Sequence, residues 1–456
     1  MISNALEKLR SATEGTSYEG KLYLVGGVVR DKVMGLPEQE DIDIVLEGDA
    51  ASLADFMHER GVAQHTPVVY PRFGTAMVTV CGRQVELVGA RSEKYDSDSR
   101  KPDVASATLR DDMMRRDFTI NTLLENLHTG EILDLLGCAR LDIERGVIRT
   151  PGIPTETFSE DPLRMLRAVR FASRFGFTIE SETYDAIVRD VQRLSIISNE
   201  RIRDELTKIV ASANVTTGLE LLRQTGLLSQ FAPELVGMHG VGQNNYHIYD
   251  CWTHTLKVID SLPEDASLRL KTAALFHDIG KPGVRSVDDA GNVHFYSHQV
   301  LGAELTRNVM SRLRFSNDET DYVSRVVALH LRVGEYSEEW SDAAVRRLIR
   351  EASEMLPDLI TLTRADKAAS NLELSTVDVE AFIHRAYAVS QTMDVLAIDS
   401  PLCGNKIMEI LGVPPGPILR EAKEFLINEI LENRLRPGDE DGAARALREK
   451  YCGLER

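Results

Sequence analysis

The chain has 456 residues, of which 43% are hydrophobic and 27% are charged. This length exceeds one ordinary hydrophobic core and predicts three or four packed units. No stretch approaches the roughly 18 to 20 consecutive apolar residues of a membrane span, and the first residues lack the basic and apolar regions of a signal peptide. These features argue against an integral membrane protein and predict a cytoplasmic protein with no membrane partner.

Charge and cysteine content narrow the possibilities. The net charge of −18 argues against broad electrostatic binding of nucleic acid, so an RNA site would have to be local. Positive charge is concentrated in one segment, which contains Arg164, Arg167, Arg170 and Arg174, although most charge runs on helices are solvated faces. The 5 cysteines include no C-x-x-C pair, which favours reduced packing residues over a disulfide framework or a thiolate zinc site.

The first third of the chain has a mixed pattern and the remainder a helical one. Short β-rich runs occupy residues 22–25, 42–46, 75–80 and 85–88. With the helical patterns between them, these runs predict an α+β domain with a small mixed sheet. From about Pro162 onward, apolar residues such as Leu163, Leu166 and Val169 recur with a helical period. Glycine- and proline-rich breaks contribute to a predicted division into residues 1–150, 151–236, 237–385 and 386–456.

Two glycines and two aspartates follow the first predicted strands. Gly26 and Gly27 lie between an apolar strand and a predicted helix, where a tight turn exposing N–H groups can cradle a triphosphate. Asp41 and Asp43 alternate with buried apolar residues, which places both carboxylates on one face. Such a pair suits Mg²⁺ bridging to nucleotide phosphates. An ordinary turn and a solvated edge strand would also account for these two segments when each is taken alone.

The order of these segments resembles a known family. The strand, G-G-x-x-R-D and D-x-D are similar to the active-site opening of polymerase-β-like nucleotidyltransferases. Residues 72–76, 111–121, 134–137 and 148–149 resemble further motifs of the class II tRNA nucleotidyltransferase and bacterial poly(A) polymerase family. The resemblance implies a polymerase-β-like head followed by an all-α neck, a helical body and a tail.

The same resemblance implies roles for individual head residues. Asp41 and Asp43 would be catalytic ligands of Mg²⁺, Gly27 and Arg30 nucleotide contacts, and Arg116 a triphosphate or ribose contact. Glu86, on the predicted strand over residues 85–88, is a candidate third carboxylate. An exposed strand residue without a catalytic role is an equally good interpretation of Glu86.

A segment with the pattern E-D-x-x-R begins the predicted neck helix. Asp161 and Arg164, three residues apart, can approach each other near the helix start, and together they offer hydrogen-bond acceptors and donors for a base edge. Alone, the segment would read as a capped helix with a surface salt bridge. Its position matches the family's amino-acid template, and the resemblance implies that Arg167 and Arg170 continue an arginine row beside the nucleotide.

The second half contains a possible metal centre. His254, the adjacent His277 and Asp278, and Asp366 resemble the H…HD…D ligand set of HD-domain phosphohydrolases. This combination of imidazoles and carboxylates suits Mn²⁺, Ni²⁺, Co²⁺ or Zn²⁺. His298 and His330 fall where extended HD sites place further histidines. The pattern predicts metal binding in an HD-type body over residues 237–385, and leaves open whether the site is catalytic.

These features together predict an enzyme that adds nucleotides to RNA. The leading hypothesis is transfer of CMP and AMP from CTP and ATP to the 3′-hydroxyl of tRNA, with release of pyrophosphate. Enzymes that add only CC or only A fit the same motifs, whereas residues 72–76 resemble poly(A) polymerases less well. An HD phosphohydrolase with a degenerate RNA-binding head is the alternative from another class; the intact Asp41, Asp43, Arg116, Asp161 and Arg164 argue against it. The sequence does not indicate the oligomeric state.

Overall fold

A computed structural model describes residues 2–37, 41–71, 74–94, 103–243, 248–370 and 378–451. The chain divides into two compact units, one ending at Pro233 and the other starting at Glu234. The finer division into four parts stays a prediction. Arg72 and Phe73, from the predicted motif at residues 72–76, lie outside the described residues. Within the described ranges, the helices are too short or too polar to cross a membrane.

The first unit consists of a head, in which strands and helices alternate, and of the helices that follow the head. Its strands are β1 (Leu22–Val25), β2 (Ile42–Leu46), β3 (Val68–Tyr70), β4 (Thr75–Val80), β5 (Arg83–Gly89), β6 (Arg91–Lys94), β7 (Asp103–Ser106), β8 (Leu124–Asn126), β9 (Ile132–Leu133), β10 (Val147–Ile148) and β11 (Thr178–Ile179). Its helices are α1 (Ile2–Thr13), α2 (Gly27–Val33), α3 (Ala50–Glu59), α4 (Leu109–Met114), α5 (Ala139–Arg145), α6 (Pro154–Glu160), α7 (Leu163–Phe175), α8 (Ser181–Asp190), α9 (Asn199–Val210), α10 (Val215–Gln224) and α11 (Leu227–Phe231).

A mixed sheet organises the head. Its strand order is β3-β4-β5-β2-β1-β8-β9, with β2 and β5 parallel and the other neighbours antiparallel. Side chains alternate along β2, so Ile42, Ile44 and Leu46 enter the main core with residues of α1 and α3, while Asp43 lies on the other face. The predicted polymerase-β-like head with a small mixed sheet is confirmed.

The second unit is almost entirely helical. Across the boundary lies α12 (Pro233–Val236), and the helices that follow are α13 (Cys251–Asp260), α14 (Leu268–Phe276), α15 (Lys281–Val284), α16 (His298–Arg312), α17 (Asn317–Gly334), α18 (Asp342–Ala352), α19 (Leu356–Ala369), α20 (Val379–Thr392), α21 (Gly404–Leu411), α22 (Pro417–Leu431) and α23 (Glu440–Tyr451). A small hairpin is formed by β12 (Ser286–Val287) and β13 (Val293–His294). The prediction that helices dominate after Pro162 is confirmed.

The amphipathic helix α7 joins the head to the helices that follow it. Its apolar face is buried and the helix packs against α9 and α10. Its arginines pair with carboxylates on several elements: Arg164 with Glu160, Arg167 with Asp117, Arg170 with Glu205, and Arg174 with Asp31. These pairs, together with the buried face, fix the position of α7 beside the sheet.

Asp117 is a buried carboxylate that pairs with Arg167 of α7. It accepts hydrogen bonds from the Phe118 N–H, the Asn121 amide and the Arg167 guanidinium. Burial alone would raise the pKa of Asp117, but Arg167 and Asn121 hold it well below the usual aspartate value. Because the folded-state pKa lies below the unfolded value of about 3.9, the stabilisation is complete above that value and is lost as the pH falls through the folded-state pKa.

We predict that Asp117→Asn lowers the free energy of unfolding by about 2 to 3 kcal/mol at pH 7. This is less than a fully buried pair would lose, because the Arg167 side chain is 35% exposed. The deficit should shrink as the pH falls below about 4. Urea denaturation at several pH values measures it, with Asp190→Asn, in the looser pair with Arg189, as control. A pH-independent deficit would contradict this electrostatic account.

Candidate active sites

Strand register brings carboxylates together in the head. Asp43 on β2 is the direct neighbour of Glu86 on the parallel strand β5, so both side chains project from the same face of the sheet. Asp41 lies just before β2 and two residues from Asp43, on the same side of the alternating pattern, and its side chain is exposed. The three side chains supply only oxygen donors, which are the ligands that Mg²⁺ prefers.

The surroundings of Asp43 fit a bound cation. Burial and the negative charges of Glu86 and Asp41 together raise the pKa of Asp43 to about 6, while Arg116 acts in the opposite direction. Carboxylates crowded in this way repel one another unless a positive charge lies among them. The residues present therefore fit a divalent cation, and Asp41, Asp43 and Glu86 are the ones placed to hold it.

The turn after β1 lies directly against this cluster. Gly26 has a φ of 77°, and a Cβ atom at that position would lie 3.5 Å from Nη1 of Arg116 and 3.7 Å from Oδ2 of Asp43. Gly26 therefore combines a backbone conformation that favours glycine with a close approach to charged groups. Gly27, the predicted nucleotide contact, is the first residue of α2. The family resemblance pointed to Gly27 as the nucleotide contact, whereas Gly26 is the glycine that lies against Asp43 and Arg116.

Arg116 is held beside Asp43 by a residue that sequence reasoning missed. The fully buried carboxylate of Asp112 pairs with Arg116 at 3.3 Å and with Arg115. The Nε atom of Arg116 is buried and makes no hydrogen bond within the described part of the chain. The only sequence signal for Asp112 is its place within the motif at residues 111–121, which does not distinguish it from its neighbours.

Arg30 lies deeper than the other predicted nucleotide contacts. Its side chain is 3% exposed and pairs with Asp31 at 2.6 Å, and it donates a hydrogen bond to Asn121 at 2.6 Å. The guanidinium also lies 4.8 Å from the ring centre of Phe175. These contacts give Arg30 a role in joining α2 to α7, and its contact with a nucleotide stays a prediction.

The predicted template residues have different partners from those expected. Asp161 pairs with Arg201 of α9 at 2.8 Å, whereas Arg164 pairs with Glu160 at 2.7 Å and donates to the backbone carbonyl of Arg115 at 2.8 Å. The expected approach of the Asp161 and Arg164 side chains is therefore replaced by two separate pairs. Proline at 162 and the change in backbone direction at Asp161, the residue after α6, separate the two side chains.

Arg167 and Arg170 follow on the same helix. Arg167 is paired with Asp117 and is 35% exposed, whereas Arg170 is 12% exposed and lies 2.7 Å from Glu205. Burial lowers the pKa of Arg170 to about 10, partly offset by Glu205, so its guanidinium remains charged at neutral pH. The arginines predicted to form a row all lie on α7, and each of them pairs with a carboxylate.

In the second unit, five helices bring the predicted ligands together. His254 lies on α13, His277 and Asp278 follow α14, and Asp366 lies on α19. The ligand atoms of His254, His277 and Asp278 lie within 4.8 Å of one another. His298 on α16 and His330 on α17 form a second such group with Asp278, so one carboxylate stands between two candidate ligand groups. These six residues therefore lie together, as the sequence predicted.

Hydrogen bonds orient three of these histidines. Nδ1 of His277, His298 and His330 lies 2.7 to 2.9 Å from the backbone carbonyl three residues earlier. An Nδ1–H donor at each position leaves Nε2 with a free lone pair, which is the form that binds metals. Nε2 of His298 and Nε2 of His330 are 3.2 Å apart. Two lone pairs at this distance repel unless a cation lies between them, so the donor set fits a divalent ion.

The pKa values of His330 and Asp278 agree with this arrangement, whereas His277 differs: burial lowers its pKa, but the neighbouring Asp278 carboxylate outweighs burial and raises it. Burial, reinforced by His277 and His298, lowers the pKa of His330 to about 3, so its imidazole is neutral. Burial opposes ionisation of Asp278, but His277 and Lys281 hold its pKa well below the usual value. Lys281 was not predicted, although it closes the H-D-x-G-K run, and its ammonium lies 2.7 Å from Asp278.

Beside these ligands is a pocket of about 310 Å³, within the lower range for small-molecule sites. Its lining residues are Asp278, Lys281, His294, Phe295, Tyr296, His298, His330, Leu331 and Asp366. Gly280 allows the loop after Asp278 to approach α16, because a Cβ atom there would lie 2.2 Å from the His298 carbonyl oxygen. The pocket gives the candidate metal centre access to a ligand.

Three family models match successive parts of the chain. Residues 22–149 match the poly A polymerase head domain, residues 176–238 a probable RNA and SrmB-binding site of polymerase A, and residues 245–371 the HD domain. The head model covers the carboxylate cluster, and the HD model covers all six candidate ligands of the second unit.

Relatives extend the match over most of the chain. An A-adding tRNA nucleotidyltransferase from Deinococcus radiodurans is 33% identical over 70% of this chain and 74% of its own length. A CC-adding tRNA nucleotidyltransferase from Thermus thermophilus is 32% identical over 72% and 74%, respectively. The fold is similar to that of the Bacillus stearothermophilus CCA-adding enzyme solved with CTP, with a TM-score of 0.68, 21% identity and coverage of 100% of this chain and 98% of that one. With its head motifs in order and this degree of identity, the chain belongs to the tRNA nucleotidyltransferase and poly(A) polymerase family.

Proposed function

We propose that this enzyme adds CMP and AMP from CTP and ATP to the 3′ end of tRNA. The observation that carries the proposal is the register of Asp43 with Glu86, with Arg116 and the Gly26 turn against the same cluster. In the reaction, the tRNA 3′-hydroxyl attacks the α-phosphorus, a new phosphodiester bond forms, and pyrophosphate leaves. The geometry fits this transfer because carboxylates and a guanidinium converge at one face of the sheet.

In this proposal, some residues of the head bind the cation and others bind the nucleotide. Asp41 and Asp43, assisted by Glu86, would hold Mg²⁺, which would activate the attacking hydroxyl and stabilise the leaving pyrophosphate. Arg116, whose Nε has no hydrogen bond within the described ranges, would bind the triphosphate. Asp112 keeps that guanidinium in place. The glycine turn would admit the phosphates without steric conflict.

Base selection is proposed for Asp161 and Arg164. The Asp161–Arg201 pair is partly exposed, with 26% and 42% of the side chains accessible, and exposed ion pairs contribute little stability. Asp161 can therefore exchange Arg201 for a base edge at a small energetic cost. Arg164 retains further donors beyond those used by Glu160 and the carbonyls of Thr157 and Arg115.

A second activity is proposed for the metal centre of the second unit. The converging Nε2 atoms of His298 and His330 and the shared carboxylate of Asp278 favour binding of Mn²⁺, Ni²⁺ or Co²⁺. When bound, such an ion supplies an activated water for hydrolysis of a phosphate ester. Water adds to phosphorus, one P–O ester bond breaks, and a proton goes to the departing oxygen. Lys281 is placed beside Asp278 to bind the anionic substrate.

The nucleotides that the enzyme adds can be identified by offering it tRNAs with different 3′ ends. Relatives named for A addition, CC addition and CCA addition all resemble this chain. We expect complete CCA addition, and three tRNAs ending before, within and after CC test it with CTP, ATP or both. Extension of all incomplete tRNAs to CCA supports the expectation. Products that stop after CC, or extension of only the CC-ended tRNA, would assign a partial enzyme.

We predict that Asp43→Asn lowers the rate of nucleotide transfer by at least about a thousandfold, because the carboxylate holds metal. Glu86→Gln should lower it by about ten- to a hundredfold if Glu86 shares the cation. Single-turnover kinetics with saturating tRNA measure both changes. Asp55→Asn, on an exposed position of α3, is the control, and tRNA affinity should stay within about twofold. More than a tenth of the wild-type rate in Asp43→Asn would refute the metal assignment.

We predict that Asp161→Ala and Arg164→Ala relax nucleotide choice more than they slow phosphoryl transfer. Loss of one base-edge contact should reduce discrimination by about 1 to 3 kcal/mol, because the cation ligands are untouched. Competition of CTP and ATP against UTP and GTP measures the change, and Arg189→Ala, at an exposed position of α8, is the control. Unchanged discrimination in both variants would contradict the template assignment.

We predict that the double substitution His277→Ala with Asp278→Ala removes binding of transition metals and hydrolysis of phosphate esters, while nucleotide addition with Mg²⁺ persists. The reason is that the head offers oxygen ligands and the second unit offers imidazoles, which favour different ions. Metal content and turnover at saturating tRNA are the measurements, and His239→Ala, on an exposed position, is the control. Loss of nucleotide addition in a folded double variant would show that the two centres are coupled.

A further inference from the structure

The face of the head sheet that carries Asp43 and Glu86 continues beyond these two carboxylates. Glu86 on β5 lies opposite Met77 on β4, and Met77 lies opposite Val68 on the edge strand β3. Residues that are direct partners on neighbouring strands project from the same face of a sheet. A row that begins with Asp43 therefore runs through Glu86 and Met77 to Val68.

Tyr70 belongs to the same face at the edge of the sheet. It is two residues from Val68 on β3 and lies opposite Thr75, whereas Val69, between them, packs against the main core on the other face. Val68 is 50% exposed and Tyr70 is 45% exposed, and Met77 is partly exposed. A sheet with one buried and one solvated face normally alternates apolar with polar residues. The apolar side chains on the solvated face depart from that pattern and indicate a contact surface.

A further strand is an unsuitable partner for this edge of the sheet. β3 has only 3 residues, and Pro67 and Pro71 flank it. Proline has no backbone N–H, and both short length and prolines protect edge strands from pairing with another chain. The exposed side chains of β3 are therefore better suited to contact than its backbone.

The direction of the proposed reaction indicates which molecule covers this surface. Gly26 follows β1 and lies close to Arg116, so the triphosphate is proposed to lie on the β1 side of Asp43. Glu86 lies on β5, on the opposite side of β2. In phosphoryl transfer the attacking and leaving oxygens are roughly in line, on opposite sides of the phosphorus. Because pyrophosphate leaves toward Gly26, the attacking 3′-hydroxyl comes from the side of Glu86, and its nucleotide lies over β4 and β3.

We propose that Tyr70, with Val68 and Met77, forms a subsite for the 3′-terminal nucleotide of the tRNA that is extended. β3 lies two strand spacings from β5, or about 10 Å, which is the scale of one nucleotide. In this arrangement the ribose lies near Glu86 and Met77, and the base stacks on the exposed ring of Tyr70. Stacking accepts every base, which suits a chain end that changes with each addition. The inference rests on the proposed nucleotide addition and identifies residues that position the acceptor.

The first test compares an incomplete tRNA that wild type extends with the same tRNA lacking its 3′-terminal base. In Tyr70→Ala, kcat/KM for the normal tRNA should fall at least about fivefold, as for loss of one base stack, and should not change for the abasic tRNA. The KM for the incoming nucleotide should stay the same, and Tyr70→Phe should retain most of the activity. Tyr387→Ala, at an exposed tyrosine of the second unit, is the matched control and should leave the ratio between the two tRNAs unchanged.

A binding measurement separates this inference from the proposed nucleotide addition. The fluorescence of 2-aminopurine, placed as the terminal base of the tRNA, falls when that base stacks. Weaker quenching by Tyr70→Ala than by wild type supports the subsite even if wild type extends no tRNA, in which case only the proposed addition fails. If wild type extends tRNA and Tyr70→Ala changes neither the ratio nor the quenching, the subsite is overturned and nucleotide addition stands. Equal loss for both tRNAs, or a loss that depends on the base of the preceding nucleotide instead, would also overturn it.

Discussion

The pairing of the α7 arginines with carboxylates is the interaction on which the first unit depends. Arg164, Arg167 and Arg170 point to partners on α6, in the head and on α9, respectively, so one helix fixes three parts of the chain. A charged pair that is largely buried is costly to break on one side only. The Asp161–Arg201 pair, which precedes α7, is more exposed and can exchange partners more readily.

The carboxylate cluster of the head depends on a different constraint, the register of two parallel strands. A shift of one residue would turn Asp43 or Glu86 into the core, where Ile44 and Leu87 now pack. The apolar residues that stabilise the sheet thus also determine which carboxylates converge. Asp112 provides a further constraint, because its buried carboxylate holds the guanidinium of Arg116 against that cluster.

The candidate metal centre of the second unit concentrates charge inside a helical body. Backbone carbonyls accept from Nδ1–H of His277 and His330, and burial keeps the His330 imidazole neutral. Asp278 remains ionised because His277 and Lys281 offset its burial. The ligand chemistry differs from that of the head, which offers oxygen donors alone. This difference is the physical basis for expecting the two units to select different ions.

The sequence by itself determined the fold class, the strand pattern around the D-x-D motif and the residues of the H…HD…D set, because local periodicity and motif order are properties of neighbouring residues. It did not determine which glycine approaches Asp43, the roles of Asp112 and Lys281, or the partners of Asp161 and Arg164. Those features depend on side chains that are distant in sequence or on backbone direction at one residue, as at Asp161. Only the tertiary structure decided them, since a guanidinium pairs with whichever carboxylate the packing of helices and strands brings within reach.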